Sequence, residues 1–315
     1  MAEMTEDKSE FKLIEWIRRQ RQDEDAKDVI TGIGDDMAVV LVGGRKLLIT
    51  TDVLLEGVHF DLERATLEQV GYKAMACSLS DCAAMAAVPF VAVVAVALPQ
   101  TMTMDQTRQL YRGLQQAAEK YNCPIVGGDT TSWDKPLTID VTMLAKAGLT
   151  EPVPRSGAQV GDVILVTGEL GGSLQGRHLR FCPRVREAQL LAQRIELHAM
   201  IDISDGLSID LNHICCESRV AAEIDARAIP VSQVAQNSAD PLTAALSDGE
   251  DFELLFCISP SDAEKLLREW PSRSTVRLSC VGRIIQAKGE QRLFIRQANG
   301  TVEPLEVKGW EHFNE

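Results

Sequence analysis

Aspartates recur along this chain within apolar runs that would not otherwise contain acids. A buried, unpaired carboxylate costs several kcal/mol, so each of these aspartates needs a cation or a hydrogen-bond donor as a partner. Carboxylates at strand ends, with Ser, Thr and Gly beside them, are ligands for Mg²⁺, whereas zinc would require His and Cys at short spacing. The acidic groups are Gly34-Asp35-Asp36, Thr50-Thr51-Asp52, Ser80-Asp81, Gly127-Gly128-Asp129 and Asp202-Ile203-Ser204-Asp205-Gly206.

Two of these groups also have features of phosphate binding. The glycines before Asp129 let backbone amides approach a phosphate closely, and Asp129 can hold a metal ion that bridges it. Ser204 and the free amides of the helix predicted after Gly206 are suited to binding an anion. Each short motif alone is more often an ordinary turn or helix cap. Five of them in one chain, with few basic residues close in sequence, predict a polyphosphate site with several Mg²⁺ ions.

Basic and aromatic candidates are fewer. Arg155 could pair with a transferring phosphoryl group, although a loop arginine alone is more often a surface residue. Trp310 could dock the end of the chain onto the core or stack on a ligand ring. Five further residues could line an anion site, and these are His59, Arg177, His178, Arg180 and Arg184.

The length and composition limit the number of domains and the classes of protein to which the chain can belong. With 315 residues the chain is long enough for about two domains. The 46 acidic residues exceed the 32 basic residues and give a net charge of −14, which excludes a protein that binds nucleic acid by counterion release. The apolar fraction of 45% and the charged fraction of 25% are typical of a globular protein.

We expect neither a secretory leader nor a membrane span. The first twenty residues are charged rather than apolar. The apolar run at residues 82–98 is short for a span and is interrupted by Pro89, so we expect a buried helix, a turn at Pro89 and a buried strand. The 8 cysteines form no CxxC pair, which favours reduced core thiols in a cytoplasmic protein over a redox or metal role.

Helical and strand periodicities alternate along the chain, which predicts an α/β or α+β class. The predicted helices span residues 10–21, 66–88, 104–121, 184–198, 207–217 and 260–270. The predicted strands span residues 37–42, 46–50, 90–98, 124–126, 137–147, 162–167, 252–258 and 277–281. Pro, Gly and Ser concentrate at 148–161, where we place a break between two halves. These elements put Asp52 and Asp129 at or just beyond strand ends and Asp81 inside a helix. Ile201 and Asp202 are read as the end of a further short strand before the helix at 207–217.

Eight segments resemble the thiamine-monophosphate kinases, in the order of that family, between residues 32 and 313. They are GIGDDMAVV, ITTDVLLEGVHF, YKAMACSLSDCAAMAAVP, IVGGDTT, PRSGAQVGDVILVTG, IDISDGLSIDL, LSDGEDFELLF and KGWEHF. The GGD and SDG turns are shared with aminoimidazole ribonucleotide synthetase, selenophosphate synthetase and a hydrogenase maturation factor. The other segments favour the kinase.

The resemblance implies transfer of a phosphoryl group from ATP to thiamine monophosphate with Mg²⁺, by a homodimer. It implies a two-domain fold in which an α/β domain, 1–150, joins its sheet to that of a second copy as a barrel, and an α+β domain follows at 151–315. It places metal ligands at Asp36, Thr50, Thr51, Asp52, Asp81, Asp129, Asp202 and Asp205. It places ATP contacts at Gly128, Asp129, Arg155 and Ser204, with Asp129, Asp205 and Arg155 as catalytic residues. It places substrate contacts at His59, Glu250 and Trp310.

The implied chemistry needs no general base, because the second pKa of a phosphate monoester is roughly 6 and the acceptor is already a nucleophile. The thiazolium is a cation, which Trp310 and the carboxylate of Glu250 are suited to recognise. One departure from the family is the short segment between Gly172 and His178, which puts the local shape of the substrate wall in question.

Two alternatives remain. One is another ATP-dependent synthetase of the same superfamily, although the lack of a cysteine before Cys77 disfavours selenophosphate synthesis. The other is a non-catalytic Mg²⁺- or Ca²⁺-binding module, which the lack of an EF-hand loop disfavours.

Overall fold

Two sheets flanked by helices make up the protein, and the computed structural model describes residues 10–20 and 27–311. The helices are α1 (Glu10–Gln20), α2 (Leu67–Ala84), α3 (Met104–Lys120), α4 (Val185–Ala192), α5 (Leu207–Ser218), α6 (Pro241–Ser247) and α7 (Pro260–Glu269). The strands are β1 (Val29–Thr31), β2 (Ala38–Val42), β3 (Arg45–Leu55), β4 (Val88–Pro99), β5 (Ile125–Trp133), β6 (Thr138–Lys146), β7 (Val163–Thr167), β8 (Ala199–Asp202), β9 (Ala221–Asp225), β10 (Leu254–Ile258), β11 (Leu278–Ile285), β12 (Leu293–Arg296) and β13 (Val302–Pro304).

The first sheet has the strand order β1-β2-β3-β6-β4-β5. Along β6, buried residues alternate with more exposed ones, as expected when only one face of a sheet is covered. The buried set, which includes Ile139, Val141 and Met143, belongs to the same core cluster as residues of α2 and α3. These two helices therefore cover one face of the sheet and leave the other open.

Helix α2 begins with the capping box that the sequence predicts. Thr66 accepts a hydrogen bond from the amide of Gln69, and the Gln69 side chain accepts one from the amide of Thr66. The helix ends at Ala84, four residues before the predicted end, and the chain turns at Ala86, whose φ is 51°. The predicted turn at Pro89 is wrong, because Pro89 lies within β4 beside a register shift, where a strand tolerates proline.

Two glycines bring α2 and α3 into backbone contact. A Cβ atom at Gly71 would lie 2.1 Å from the carbonyl oxygen of Leu110, and one at Gly113 would lie 1.9 Å from that of Glu68. Neither helix can carry a side chain at these positions without moving away from the other. The glycine pair therefore fixes the position of α2 against α3.

The second sheet has the strand order β13-β12-β9-β11-β7-β10-β8 and is covered on both faces. On one side, Leu207 and Leu211 of α5 pack in one core cluster with Ala245 of α6. On the other side, Leu191 of α4 and Leu266 of α7 pack in a separate cluster. All strand pairs of this sheet are antiparallel except β9 with β12, so the second half combines helices with mainly antiparallel strands, as expected for an α+β domain.

Several boundaries differ from the prediction. Helix α4 ends six residues before residue 198, and α6, β1, β9, β12 and β13 were not predicted. Strands β3 and β5 run well past their predicted ends, so Asp52 and Asp129 lie within strands. Pairing explains the extension, because β3 pairs with β6 through to Leu55 and β5 pairs with β4 through to Trp133. Cross-strand pairing outweighs the low strand propensity of Gly and Asp.

Among the described residues, no helix has both the length and the apolar character needed to cross a bilayer.

Candidate functional site

Three aspartates from separate elements meet between the two sheets. Carboxylate oxygens of Asp36, Asp81 and Asp202 all lie within 4.8 Å of one another. Asp36 precedes β2, Asp81 lies in α2 and Asp202 ends β8. We call these residues the aspartate trio. Three of the acidic groups that are far apart in the sequence therefore form one cluster.

Hydroxyl groups hold this cluster in place. Ser80 Oγ donates to Asp202 Oδ2 at 2.5 Å, and Thr50 Oγ1 donates to Asp81 Oδ2. Ser78 Oγ donates to Oδ2 of the neighbouring Asp52 at 2.6 Å. A donor on one carboxylate oxygen fixes its orientation and leaves lone pairs for a further ligand. Ser78 and Ser80 belong to the same helix as Asp81.

The pKa values of the buried aspartates are raised. Burial is the largest cause, and it raises the pKa of Asp202 to about 7 and that of Asp52 to about 6. Burial, with the nearby charges of Asp52 and Asp202, also raises the pKa of Asp81 well above its usual value. Carboxylates this close repel one another unless a proton or a cation lies among them.

The trio fits a divalent cation. The side chain of Asp36 is only 1% exposed, and its Oδ1 atom accepts a hydrogen bond from Arg155 Nη2 at 2.6 Å. Its Oδ2 atom is buried and has no hydrogen-bond partner in the described part of the chain. A buried carboxylate oxygen without a donor is suited to a cation, and Mg²⁺ prefers such oxygen ligands. Arg155 also donates its backbone amide to Asp35 Oδ1 at 3.2 Å, so it lies beside the trio.

A cleft of about 610 Å³ opens beside Asp81 and Asp202. Candidate residues from the metal, nucleotide and substrate groups meet in it. Those that line it are Thr51, Asp52, His59, Asp81, Asp202, Ser204, Asp205, Glu250 and Trp310. The hydroxyl of Thr51 lies 3.2 Å from Asp140 Oδ1, on the face of the sheet opposite to Asp52.

The end of the chain is docked at the start of α5. The Trp310 amide donates to the carbonyl of Asp205 at 3.0 Å, and Ser208 Oγ donates to the carbonyl of Lys308 at 2.5 Å. A Cβ atom at Gly309 would lie 2.2 Å from the Asp205 carbonyl oxygen, so only glycine allows this approach. Trp310 thereby reaches the cleft, while His312 and Phe313 of the same segment lie outside the described residues.

A second acidic group lies at the same end of α5. Asp205, Asp210 and His213 offer ligand atoms within 4.8 Å of one another. Asp210 Oδ2 accepts hydrogen bonds from the amides of Asp205 and Gly206. Burial raises the pKa of Asp210 well above its usual value and lowers the pKa of His213 to about 3. His213 is therefore neutral near pH 7.

A buried lysine, which the sequence analysis missed, lies at the floor of the cleft. Lys73 in α2 is 0% exposed. Its Nζ donates to the two carboxylate oxygens of Glu250 at 2.7 and 2.6 Å and to the carbonyl of His59 at 2.5 Å. The sequence signal is a single cation in a helix whose neighbours are apolar. We call Lys73 and Glu250 the buried ion pair.

Two arginines proposed for an anion site are already paired with carboxylates. Arg177 is paired with Asp251, and Arg184 makes two hydrogen bonds to Glu253, one of them from Nε at 2.7 Å. His178 Nδ1 contacts the carbonyl of Ser173 at 2.9 Å. Of these basic candidates, Arg180 is exposed and only His59 lines the cleft.

Gly128 and Asp129 lie away from the trio of the same chain. Across the sheet, Asp129 of β5 and Asp140 of β6 lie opposite the same residue of β4, and Asp140 lies opposite Val53 of β3. Residues opposite one another share a face of the sheet, so Asp129 is on the same face as Val53. Three strand spacings separate it from β3, or about 14 Å at about 4.8 Å each. Asp129 is therefore on the open face, on the edge strand β5, whereas Asp52 faces α2.

A second cleft, of about 660 Å³, lies between β5 and α3. Gly128 and Asp129 line it together with Arg108, Tyr111 and Arg112. Its arginines and the exposed glycine backbone provide donors for an anion, and Tyr111 provides an aromatic face. The site candidates thus divide between two clefts.

Comparison with known proteins gives consistent matches over most of the chain. Residues 34–147 match the family of AIR synthase related proteins, N-terminal domain, and residues 159–293 match its C-terminal domain. A thiamine-monophosphate kinase of Rhodopirellula baltica is 41% identical over 299 residues, covering 90% of this chain and 92% of the relative. That of Bacillus subtilis is 31% identical over 328 residues, covering 96% and 99%.

Solved structures agree with these matches. The structure of AaThiL complexed with AMPPCP and TMP has a TM-score of 0.81 and 31% identity, with 97% of each chain covered. A HypE-HypF complex, at 19% identity and a TM-score of 0.73, shares the fold. The fold is therefore shared with a protein whose sequence is only 19% identical to this chain.

Proposed function

Because the chain belongs to the AIR synthase related family and, within it, to the thiamine-monophosphate kinases, we propose that it transfers a phosphoryl group from ATP to thiamine monophosphate. The observation that carries this proposal is the aspartate trio beside a cleft lined by His59 and Trp310. Acidic oxygens suit a metal bound to polyphosphate, and an aromatic side chain suits a cationic heterocycle.

We propose Mg²⁺ as the metal, held by Asp36, Asp81 and Asp202. The orphan Oδ2 atom of Asp36 supports this assignment. Bound Mg²⁺ neutralises phosphate charge and aligns the reacting groups. Arg155 contributes a positive charge next to Asp36, where an arginine can pair with the phosphoryl group as its charge redistributes. The acceptor phosphate is its own nucleophile, so no side chain of the cleft needs to remove a proton.

Two copies of the chain are part of the proposal. The cleft with Gly128 and Asp129 lies at the edge strand β5, three strand positions from the β3 residues that line the cleft beside the trio, which supports a site completed by a second copy. Exposed Val53, Leu55 and Val126 on β3 and β5 give the first sheet an apolar surface, and β5 is an unpaired edge. Joining two such sheets into a barrel would cover both features.

Product analysis tests the activity. The protein is incubated with ATP, Mg²⁺ and thiamine monophosphate, and thiamine diphosphate is measured by chromatography. We expect thiamine diphosphate in amounts equal to the ADP formed. ATP turnover that requires a different acceptor would instead support the synthetase alternative.

Mixed dimers test the shared site. Asp129→Asn and Asp202→Asn should each be inactive alone. If the site combines Asp129 of one copy with Asp202 of the other, a heterodimer of the two variants has one intact site. Random mixing of subunits would then restore about a quarter of wild-type activity, because half of the dimers are mixed and each has one of two sites. A monomer in solution, or no recovery in a mixture shown to contain heterodimers, would refute the shared site.

We place the domain boundary in the loop between β6 and β7, giving domains 1–150 and 151–315. Each then contains one complete sheet of the described chain. We also propose a cytoplasmic enzyme, which is supported by all 8 cysteines being free thiols.

A further inference from the structure

The charge of Glu250 is already neutralised within the cleft. The ammonium group of Lys73 has three donors, and its three acceptors are the two Glu250 oxygens and the His59 carbonyl. The ion pair is buried, with side-chain exposures of 1% for Lys73 and 21% for Glu250. Lys73 therefore has no donor left for a ligand, whereas Glu250 remains accessible from the cleft.

This pairing separates two roles that a carboxylate can have towards a substrate. An unpaired carboxylate would attract the thiazolium through its negative charge. A carboxylate paired with a lysine contributes little net charge, but each oxygen keeps a lone pair that can accept a hydrogen bond. The structure thus favours hydrogen bonding over charge as the means by which Glu250 recognises a ligand.

The backbone at Glu250 is also held in place. Its φ of 53° lies in the left-handed region, which is uncommon for a residue other than glycine. The Glu250 amide donates to the Ser204 carbonyl at 2.6 Å, and Ser173 Oγ donates to the Glu250 carbonyl at 2.6 Å. Strained conformations of this kind persist where surrounding contacts determine them, and they concentrate at ligand sites. The position of the Glu250 carboxylate is therefore fixed by the hydrogen bonds of its own backbone and by those from Lys73.

We propose that Lys73 is a positioning residue for substrate specificity, which holds Glu250 as a neutralised hydrogen-bond acceptor for the amino group of the substrate's aminopyrimidine. This inference rests on the proposed function, since thiamine monophosphate carries that amino donor as well as the thiazolium cation. Trp310, on the same cleft, has the aromatic face that suits the cation. Lys73 and Glu250 thus select the heterocycle by its hydrogen-bond pattern.

Calorimetric titration of the metal-loaded protein with two ligands tests the proposed role of Glu250. Oxythiamine monophosphate retains the thiazolium and the phosphate but has oxygen in place of the amino group. We expect the wild type to bind it at least about 100-fold more weakly than thiamine monophosphate, because a site built for the amino donor rejects an analogue that has a carbonyl acceptor at that position. Equal affinities would overturn the proposal. Failure of the wild type to bind thiamine monophosphate at all would instead refute the proposed function.

Substitutions then test the role of Lys73. Lys73→Met should weaken thiamine monophosphate binding at least about tenfold, with the affinity for a non-hydrolysable ATP analogue within about twofold of wild type. Glu250→Gln should also weaken the binding of thiamine monophosphate. The double variant should bind this ligand no more weakly than the weaker-binding single variant, because both residues act through one contact. The double variant also removes both buried charges, so it provides the measurement if Lys73→Met alone fails to fold.

Met75→Ala is the matched control, since Met75 is in the same helix, is 0% exposed and belongs to the core rather than to the cleft. It should lower thermal stability without changing either ligand affinity. Wild-type affinity in Lys73→Met, or losses in the two single variants that multiply in the double variant, would overturn the role of Lys73. So would an equal loss of affinity in Met75→Ala, because that would reflect helix stability alone.

Discussion

Ser80 in α2 and Asp202 at the end of β8 are joined by a hydrogen bond of 2.5 Å, from Ser80 Oγ to Asp202 Oδ2. Both residues are buried. This contact connects the helix that carries Asp81 to the strand that brings in the third acid of the trio. The geometry of the trio therefore depends on how the first sheet's helix meets the second sheet.

Ser80→Ala should weaken metal binding with little change in fold. The substitution removes the donor that orients Asp202, and loss of such an outer contact typically costs about 10- to 100-fold in metal affinity or activity. We expect the Mg²⁺ concentration for half-maximal activity to rise about tenfold. Ser279→Ala is the control, because Ser279 Oγ is buried without a hydrogen-bond partner in the described chain. The control should leave the Mg²⁺ dependence unchanged, and the same shift in both variants would contradict the role of Ser80.

Metal-free protein should lose stability as the pH rises from about 4 to about 8. Burial raises the folded-state pKa of Asp35 and of Asp202 to about 7, whereas an unfolded aspartate has a pKa of about 3.9. The folded state therefore binds more protons than the unfolded state between these values. Its stability falls as the pH rises through the folded-state pKa.

Thermal unfolding at pH 5 and pH 8, with EDTA and with Mg²⁺, measures this dependence. Mg²⁺ should raise the Tm more at pH 8, where the carboxylates are ionised and available as ligands. If the protein with EDTA is more stable at pH 8 than at pH 5, or if Mg²⁺ stabilises it equally at both, the prediction is wrong.

Arg155→Met should abolish most turnover while substrates still bind. The side chain pairs with Asp36 Oδ1, and its Nε atom is buried without a hydrogen-bond partner in the described chain. An arginine that stabilises a transferring phosphoryl group contributes about 10³–10⁵ in kcat. We therefore expect a fall in kcat of at least about 100-fold, measured by steady-state kinetics with both substrates varied. Arg19→Met, on the exposed part of α1, should have wild-type kcat, and near-normal turnover of Arg155→Met would exclude a role in catalysis.

Adjacent glycines in β5 should differ sharply in their tolerance of alanine. A Cβ atom at Gly128 would lie 1.8 Å from the Val94 carbonyl oxygen, whereas one at Gly127 would lie 3.7 Å from Val93 Cγ1. Gly128→Ala must push β5 away from β4, which we expect to cost about 1–3 kcal/mol and to raise the KM for ATP. Gly127→Ala should remain within about twofold of wild type in KM. Urea unfolding and ATP kinetics on both variants check this, and equal behaviour would contradict it.

The sequence identified the acidic groups, but it predicted the position of each acid within a helix or strand less reliably. Asp81 was predicted inside a helix and Asp202 at a strand end, and both predictions are confirmed. Asp52 and Asp129 were placed at or just beyond strand ends, because Gly and Asp are depleted in strands. Their strands continue because the partners β6 and β4 extend alongside them. Pairing of this kind depends on residues distant in sequence, so a local pattern does not reveal it.

Lys73 shows a different limit of sequence reasoning. A lysine in a helix is normally at the surface, with its ammonium group in water. Its burial here depends on Glu250, which follows it by 177 positions along the chain. The trio could be anticipated because acids inside apolar runs are conspicuous, whereas a single lysine becomes conspicuous only when its partner is known. The division of the candidates between two clefts likewise follows from strand order rather than from sequence.

The contact between Gly71 and Gly113 has a consequence for protein engineering. Helix α2 carries Lys73, Ser78, Ser80 and Asp81, and its position is set where its backbone touches α3. In a chimera that takes only α2 from a distant homologue, the small residues of the new α2 need not lie opposite the small residue of α3. Exchange of the continuous block 67–120 would keep the contact intact. That block is therefore the smallest portable unit that carries this wall of the cleft.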